Sequence, residues 1–196
     1  VYRQIAKELT LTEKIKGSKF IGHSFPVSGR EEARTIIARL EDEYRKASHV
    51  CWAFRVDENG QTLGYSSDAG EPHSSAGPPI LASLEGRALV NTLCIVVRYF
   101  GGTKLGIGGL IRAYGGVAGK TLDEAGFTEF HPQFNLHLRV PLQHYSDLMR
   151  ILRKHKIEFT QQSNECIAEF TFPVDEKDRA SIRADLTLIE GIEFLD

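Results

Sequence analysis

The residues best suited to chemistry are concentrated in two short stretches. The first is RYFGGTKLGIGG, Arg98 to Gly109. It carries five glycines, Gly101, Gly102, Gly106, Gly108 and Gly109, and two charges, Arg98 and Lys104, directly after the apolar run LCIVV. A strand that ends in glycines and passes into a helix exposes backbone N–H groups, and the helix dipole favours an anion there. Glycines also let successive N–H groups form a nest for negative charge. Arg98, Lys104 and Arg112 would add positive charge. The second stretch is SDAGEPHSSAGPP, a polar loop rich in Gly and Pro with carboxylates at Asp68 and Glu71. Such carboxylates serve acid–base or metal chemistry, or the turn and capping hydrogen bonds common in loops.

The familiar motifs do not complete themselves around these residues. After Gly106 and Gly108 the third glycine of GxGxxG would fall at Ile111. GGVAGKT, Gly115 to Thr121, is one residue short of a Walker A loop, because the first glycine would fall at Tyr114. Glycines where strand meets helix also serve close packing, so the residues alone leave a phosphate cradle and a packing joint both open. Neither HExxH nor GxSxG occurs. His49 and Cys51 share one strand face, but a structural zinc site wants four ligands. No nucleophile, base and orienting group assemble. No catalytic residue, metal ligand or cofactor is therefore expected, and the chain reads as a binding protein more than an enzyme.

These stretches lie in a chain of 196 residues, 41% hydrophobic and 26% charged, which is ordinary for a globular protein. The net charge of −2 gives no global basic character for nucleic acid. Residues 1–130 hold 16 Lys+Arg and 15 Asp+Glu, a net of +1, and residues 131–196 hold 8 and 11, a net of −3. Any anion site is thus local. No apolar run approaches the roughly 20 residues that span a bilayer. The start, VYRQIAKELTLTEK, has charges where a signal peptide needs an apolar segment. A cytoplasmic protein without a membrane partner is expected. Cys51, Cys94 and Cys166 are widely spaced and include no CxxC pair, which suits small buried residues.

The elements that must position these residues follow from periodicity. LTLTEKIKGSKFIGHSFPV reads as two strands joined near Gly17. Ser28 and Glu31 have capping-box spacing before a helix whose buried face carries Ala33, Ile36, Ile37, Leu40 and Tyr44. HVCWAFRVDENGQTLGYSSD reads as a hairpin turning at Asn59–Gly60. Pro78 and Pro79 suit a helix start. NTLCIVVRYF is a buried strand that runs into the glycine stretch, and a helix follows from Leu110. After Gly126 the pattern changes. FNLHLRV, IEFTQQS, ECIAEFTFP and IEFL read as strands, with Cys166, Ala168, Phe170 and Phe172 pointing inward. HYSDLMRILRKHK and DEKDRASIRADLTLIEG read as helices, the first burying Tyr145, Leu148, Met149 and Leu152. The order β-α-β-β-α-β is that of a ferredoxin-like split βαβ unit. An α+β protein of two domains is expected, 1–130 and 131–196.

SKFIGHSFPV, ASHVCWAFRV, SDAGEPHSSAGPPIL and VVRYFGGTKLGIGGLIRAYGG together resemble the IMPACT/YigZ family over nearly all of residues 1–130. The second half looks like the C-terminal domain of bacterial members. The resemblance implies a first domain similar to the second domain of ribosomal protein S-five. It implies a ferredoxin-like second domain similar to domain five of elongation factor G. Eukaryotic members, which also carry an RWD domain that these residues do not include, bind a ribosome-associated activator of a kinase that phosphorylates an initiation factor, and so restrain that kinase. Bacterial members have no settled activity, and the proline-dipeptidase label that some carry finds no metal-ligand set in this sequence. The family pattern lies close to DDGEPSGTAG where this chain reads SDAGEPHSSAG. Ala69 and His73-Ser74-Ser75 depart from it, although Ser75 keeps a hydroxyl.

The expectation is a non-enzymatic, translation-linked regulatory protein that contacts RNA, the ribosome or a translation factor. Its anion or partner site would comprise Arg98, Gly101, Gly102, Lys104, Gly106, Gly108, Gly109 and Arg112, with Asp68, Glu71 and Ser75 on the facing loop. One alternative is an enzyme acting on a small phosphorylated or nucleotide ligand in the cleft between the DAGEP and GGTKLG loops, with Glu71 or Asp68 as base. Another is a protein–protein module in which the glycines serve packing. Arg150, Arg153, Lys154 and Lys156 read as a solvated helix end, with a second contact surface as the alternative.

Overall fold

The computed structural model describes residues 2–163 and 166–195. The chain divides into two compact units between Phe130 and His131.

The first unit contains β1 (Tyr2–Ile5), β2 (Leu9–Ile15), β3 (Ser18–Pro26), α1 (Arg30–Glu43), β4 (His49–Glu58) and β5 (Gln61–Ser67). It continues with α2 (Gly77–Glu85), β6 (Thr92–Tyr99), α3 (Ile107–Ala125) and β7 (Phe127–Phe130). Five strands form one sheet in the order β2-β3-β6-β4-β5, every neighbour antiparallel. β6 is its centre, which is why Thr92 to Arg98 are all buried. Side chains alternate between faces along a strand. Leu93, Ile95 and Val97 pack with Ile37 and Leu40 of α1. Cys94 and Val96 pack with residues of α2 and α3. The same alternation sends Arg98 to the α2/α3 face.

Local chemistry sets the connections. Asn59 and Gly60 have φ of 53° and 78°, the double positive φ of a tight hairpin turn. α1 starts at Arg30 behind Gly29, and Ser28 gives both its N–H and its hydroxyl to Glu32 at 2.7 Å. The acid that Ser28 reaches is therefore Glu32, one position past the expected Glu31. α3 begins at Ile107, three residues earlier than the pattern from Leu110 implies, because Gly106 takes a φ of 70° and turns the chain into it. β1 and β7 pair with each other and have no counterpart in the periodicity reading, being only four residues each.

The second unit contains β8 (Gln133–Pro141), α4 (Tyr145–Lys154), β9 (Thr160–Ser163), β10 (Ile167–Asp175), α5 (Glu176–Leu186) and β11 (Glu193–Phe194). Its sheet runs β11-β8-β10-β9, all neighbours antiparallel. Leu136, Leu138 and Val140 of β8 and Ala168, Phe170, Phe172 and Val174 of β10 alternate into one core with Leu148, Leu152, Ile182 and Leu186. Cys166 does not join them. It precedes β10 and is exposed, whereas Cys51 and Cys94 are buried. Glu165, with which the expected strand ECIAEFTFP begins, lies outside the described residues. No helix of the described residues is long and apolar enough to cross a membrane.

Candidate functional site

The end of β6 and the loop between β5 and α2 meet at a buried ion pair. Nη1 of Arg98 donates to Oε1 of Glu71 at 2.7 Å, with the two side chains 7% and 3% exposed. The Tyr114 hydroxyl, from α3, donates to the same oxygen at 2.8 Å. Oε2 of Glu71 lies 3.8 Å from Nε2 of His49 on β4. The His49 Nδ1 is 2.9 Å from the Ala69 carbonyl, an acceptor, so that nitrogen carries the proton. The Cys51 thiol, pushed up to about 12 by burial, donates to the Asp68 carbonyl at 3.0 Å. Three elements, β4, β6 and α3, thus converge on Glu71 and its loop.

Asp68 acts locally. Its carboxylate accepts the N–H groups of Ser74, Ala76 and Gly77 at 2.8–2.9 Å, which satisfies the start of α2. Burial pushes its pKa up, but these three donors outweigh burial and hold it below the usual carboxylate range. The Ser75 hydroxyl, fully buried, donates to the Pro72 carbonyl at 2.6 Å. Asp68 and Ser75 therefore shape their own loop, whereas Glu71 ties that loop to β6 and α3. In this arrangement both carboxylates accept hydrogen bonds from within the protein.

The glycines divide into two tasks. A Cβ at Gly101 would overlap the backbone of Gly17 and Ser18, so Gly101 lets the loop lie directly on the β2–β3 turn. The Gly101 N–H also donates to the Ser18 hydroxyl at 3.2 Å. Gly102, Gly106, Gly108 and Gly109 have no such backbone contact, and they carry the chain into α3. That helix has no side-chain cap and no acidic residue in its first turn. Its first intrahelical acceptor is the Gly106 carbonyl, bonded by Leu110 at 2.9 Å, which leaves the three preceding amides to solvent or a ligand.

Beside this N-terminus lies a cavity of about 270 Å³ lined by Pro72, Arg98, Phe100, Lys104, Leu105, Gly106, Ile107 and Leu110. Phe100 and Ile107 stand at its edge, 50% and 59% exposed, and Ile111 one turn further is 41% exposed. Lys104 lines the cavity and Arg112 does not; Arg112 folds back beside Gly108. Arg98, counted among the expected cations, reaches the cavity already paired with Glu71. Tyr114, Ser18, Phe100 and Ile107 belong to the site without having been singled out by residue type. Tyr114 could have been found from its spacing, since Ile107, Leu110 and Tyr114 share one helix face.

Fold and site define a mixed α/β protein in which buried polar residues join two loops and leave an uncapped helix N-terminus beside a small apolar cavity. The family model for the Impact N-terminal domain matches residues 16–122, and the chain belongs to the IMPACT family. The Bacillus subtilis IMPACT family member YvyE is 42% identical over 115 residues, 59% of this chain and 52% of that protein. The chain thus spans about half the length of that relative. A Thermus thermophilus family member is 36% identical over 144 residues, 74% of this chain and 76% of its own. A crystal structure described as a hypothetical protein superposes with a TM-score of 0.76 at 26% identity, covering 99% of this chain and 96% of that one.

Proposed function

We propose that this protein is a non-enzymatic, translation-linked regulatory protein that engages an anionic, ribosome-associated partner through the glycine-loop face. One observation carries the reading. The N-terminus of α3 has neither a side-chain cap nor an acid in its first turn, and Lys104 and Arg112 stand beside it. Helices ordinarily offset their positive end with Asp or Glu. Here two cations add to it, so the positive potential is held for something outside the chain. Membership of the IMPACT family supplies the link to translation, through the role that the resemblance implies for its eukaryotic members. In this reading residues 1–130 form an IMPACT-type domain similar to the second domain of ribosomal protein S-five. Residues 131–196, with the strand order β11-β8-β10-β9, form a ferredoxin-like domain, and the protein works in the cytoplasm.

The test is co-sedimentation with purified bacterial ribosomes at low and moderate salt. The wild-type chain is expected in the ribosomal pellet at low salt, and the double variant Lys104→Glu/Arg112→Glu in the supernatant. Arg98 is left unchanged, because its loss would disturb the Glu71 pair. A wild-type chain that stays in the supernatant at every salt concentration overturns the reading.

A further inference from the structure

We propose that the cavity beside the N-terminus of α3 takes a short segment of a protein partner, an apolar side chain followed closely by a carboxylate. This deepens the binding function proposed above and rests on it.

The cavity walls are Pro72, Phe100, Leu105, Ile107 and Leu110, and its only polar side chains are Arg98 and Lys104. A nucleobase seated there would leave most of its donor and acceptor edge without partners, and unpaired buried polar groups are costly. An aliphatic or aromatic side chain meets no such cost. At about 270 Å³ the space lies at the small end of the roughly 300–1,000 Å³ usual for small-molecule sites. It suits one anchoring side chain of a longer partner. The exposed rim agrees: Phe100 and Ile107 line the opening and are exposed, and Ile111, also exposed, lies one helical turn beyond Ile107, as at the centre of a protein–protein contact.

The charge at the mouth sets the second half of the requirement. The unpaired amides of Ile107, Gly108 and Gly109 and the Lys104 ammonium favour a negative group next to the anchor. Arg98 is a second positive group at the same cavity. Arg98 is more than nine-tenths buried and lines the cavity, yet its Nε has no hydrogen-bond partner among the described residues. Glu71 engages only the far end of that guanidinium. A carboxylate seated between the α3 amides and Lys104 would also lie near the Arg98 cation, which lines the same cavity. A long polyanion is disfavoured, because Lys104 is the only cation lining the cavity besides the already paired Arg98.

The test is selection of a phage-displayed random-peptide library on the full chain, followed by anisotropy measurements with the enriched peptides. Enriched sequences are expected to place a large apolar residue within two positions of Asp or Glu. Binding is expected to fall by about tenfold or more in Lys104→Glu, as for loss of a charge pair at a contact. Ile107→Asp is the sharper variant. An acid at the first helical position suits the dipole, so its thermal midpoint should not fall, while peptide binding is lost. No enrichment, or enriched peptides without an acid, overturns the proposal. Oligouridylate run beside the peptides separates the proposals: if it binds and Ile107→Asp abolishes that binding, the partner is RNA and the peptide inference fails. Ribosome co-sedimentation would then still support the translation role. Peptide binding without ribosome association would leave the site chemistry standing and remove that role.

Discussion

Glu71 and Arg98 are both almost completely buried, and Glu71 serves two donors through one oxygen. A buried pair seldom adds much net stability over a well-packed apolar pair, but removing one partner strands the other charge. Its consequence here is position, since it fastens the β5–α2 loop to the end of β6. Glu71→Ala is therefore expected to lower unfolding free energy by about 3 kcal/mol. Arg98→Met, which removes the opposite charge, should be milder in combination with Glu71→Ala than the two single losses added. Urea denaturation of the double-mutant cycle checks both. Asp68 makes a pH-dependent contribution. Its folded pKa is depressed, so its stabilisation is fully present above the unfolded value of about 3.9 and is lost as pH falls through the folded value. Asp68→Ala should cost about 1–2 kcal/mol near neutrality, as for lost caps. The gap between variant and wild type should close in acid. Equal gaps at neutral and strongly acid pH would mean that the carboxylate charge is not what holds Ser74, Ala76 and Gly77.

Among the elements, the joint between the glycine loop and the β2–β3 turn is the tightest backbone approach in the site. Gly101→Ala would drive a methyl group into the Gly17 and Ser18 backbone. A loss of about 3 kcal/mol is expected, at the upper end for overpacking because both sides are main chain. Gly116→Ala, at a glycine within α3 with nothing near its would-be Cβ, should instead gain up to about 1 kcal/mol from helix propensity. Thermal midpoints of the two variants moving in opposite directions would separate packing glycines from incidental ones. Much of this frame was legible in the sequence. The Asn59–Gly60 turn, the Pro78-Pro79 helix start and the apolar run into Arg98 carry local chemistry that only a few conformations satisfy. β1 and β7 were not legible, because four-residue strands have no period of their own and exist only through each other. At the site, the two loops could be read as facing partners from their residue types. That Arg98 would be taken up by Glu71 could not. The alternation along β6 gives its face, but nothing local fixes which carboxylate lies across from it. The cavity was hidden for the same reason, since Pro72, Phe100 and Leu110 are distant in sequence.

The molecule as a whole carries a net charge of −2, and neither half is strongly basic. Long-range attraction to a ribosome is therefore expected to be weak, and in the proposed reading it comes from the face around α3. Two of the α4 cations stand beside acids, Arg150 at 3.2 Å from Asp147 and Lys154 at 2.7 Å from Asp185. This fixes an expected salt dependence. Each phosphate neutralised contributes about −0.7 to the slope of log affinity against log salt for a single strand. Lys104 and Arg112 together would give a slope of about −1 to −2, and an acidic peptide would give a similarly shallow one. A dedicated RNA-binding surface with many phosphate contacts would exceed about −5. Measuring ribosome association across a salt series thus reads how many cations engage. A shallow slope that Lys104→Glu flattens further places the contact at α3. A steep slope would require a second cationic surface, with the α4 end released from Asp147 and Asp185 as the first place to look, and charge reversal at Arg150 and Arg153 would then reduce it where Lys104→Glu does not.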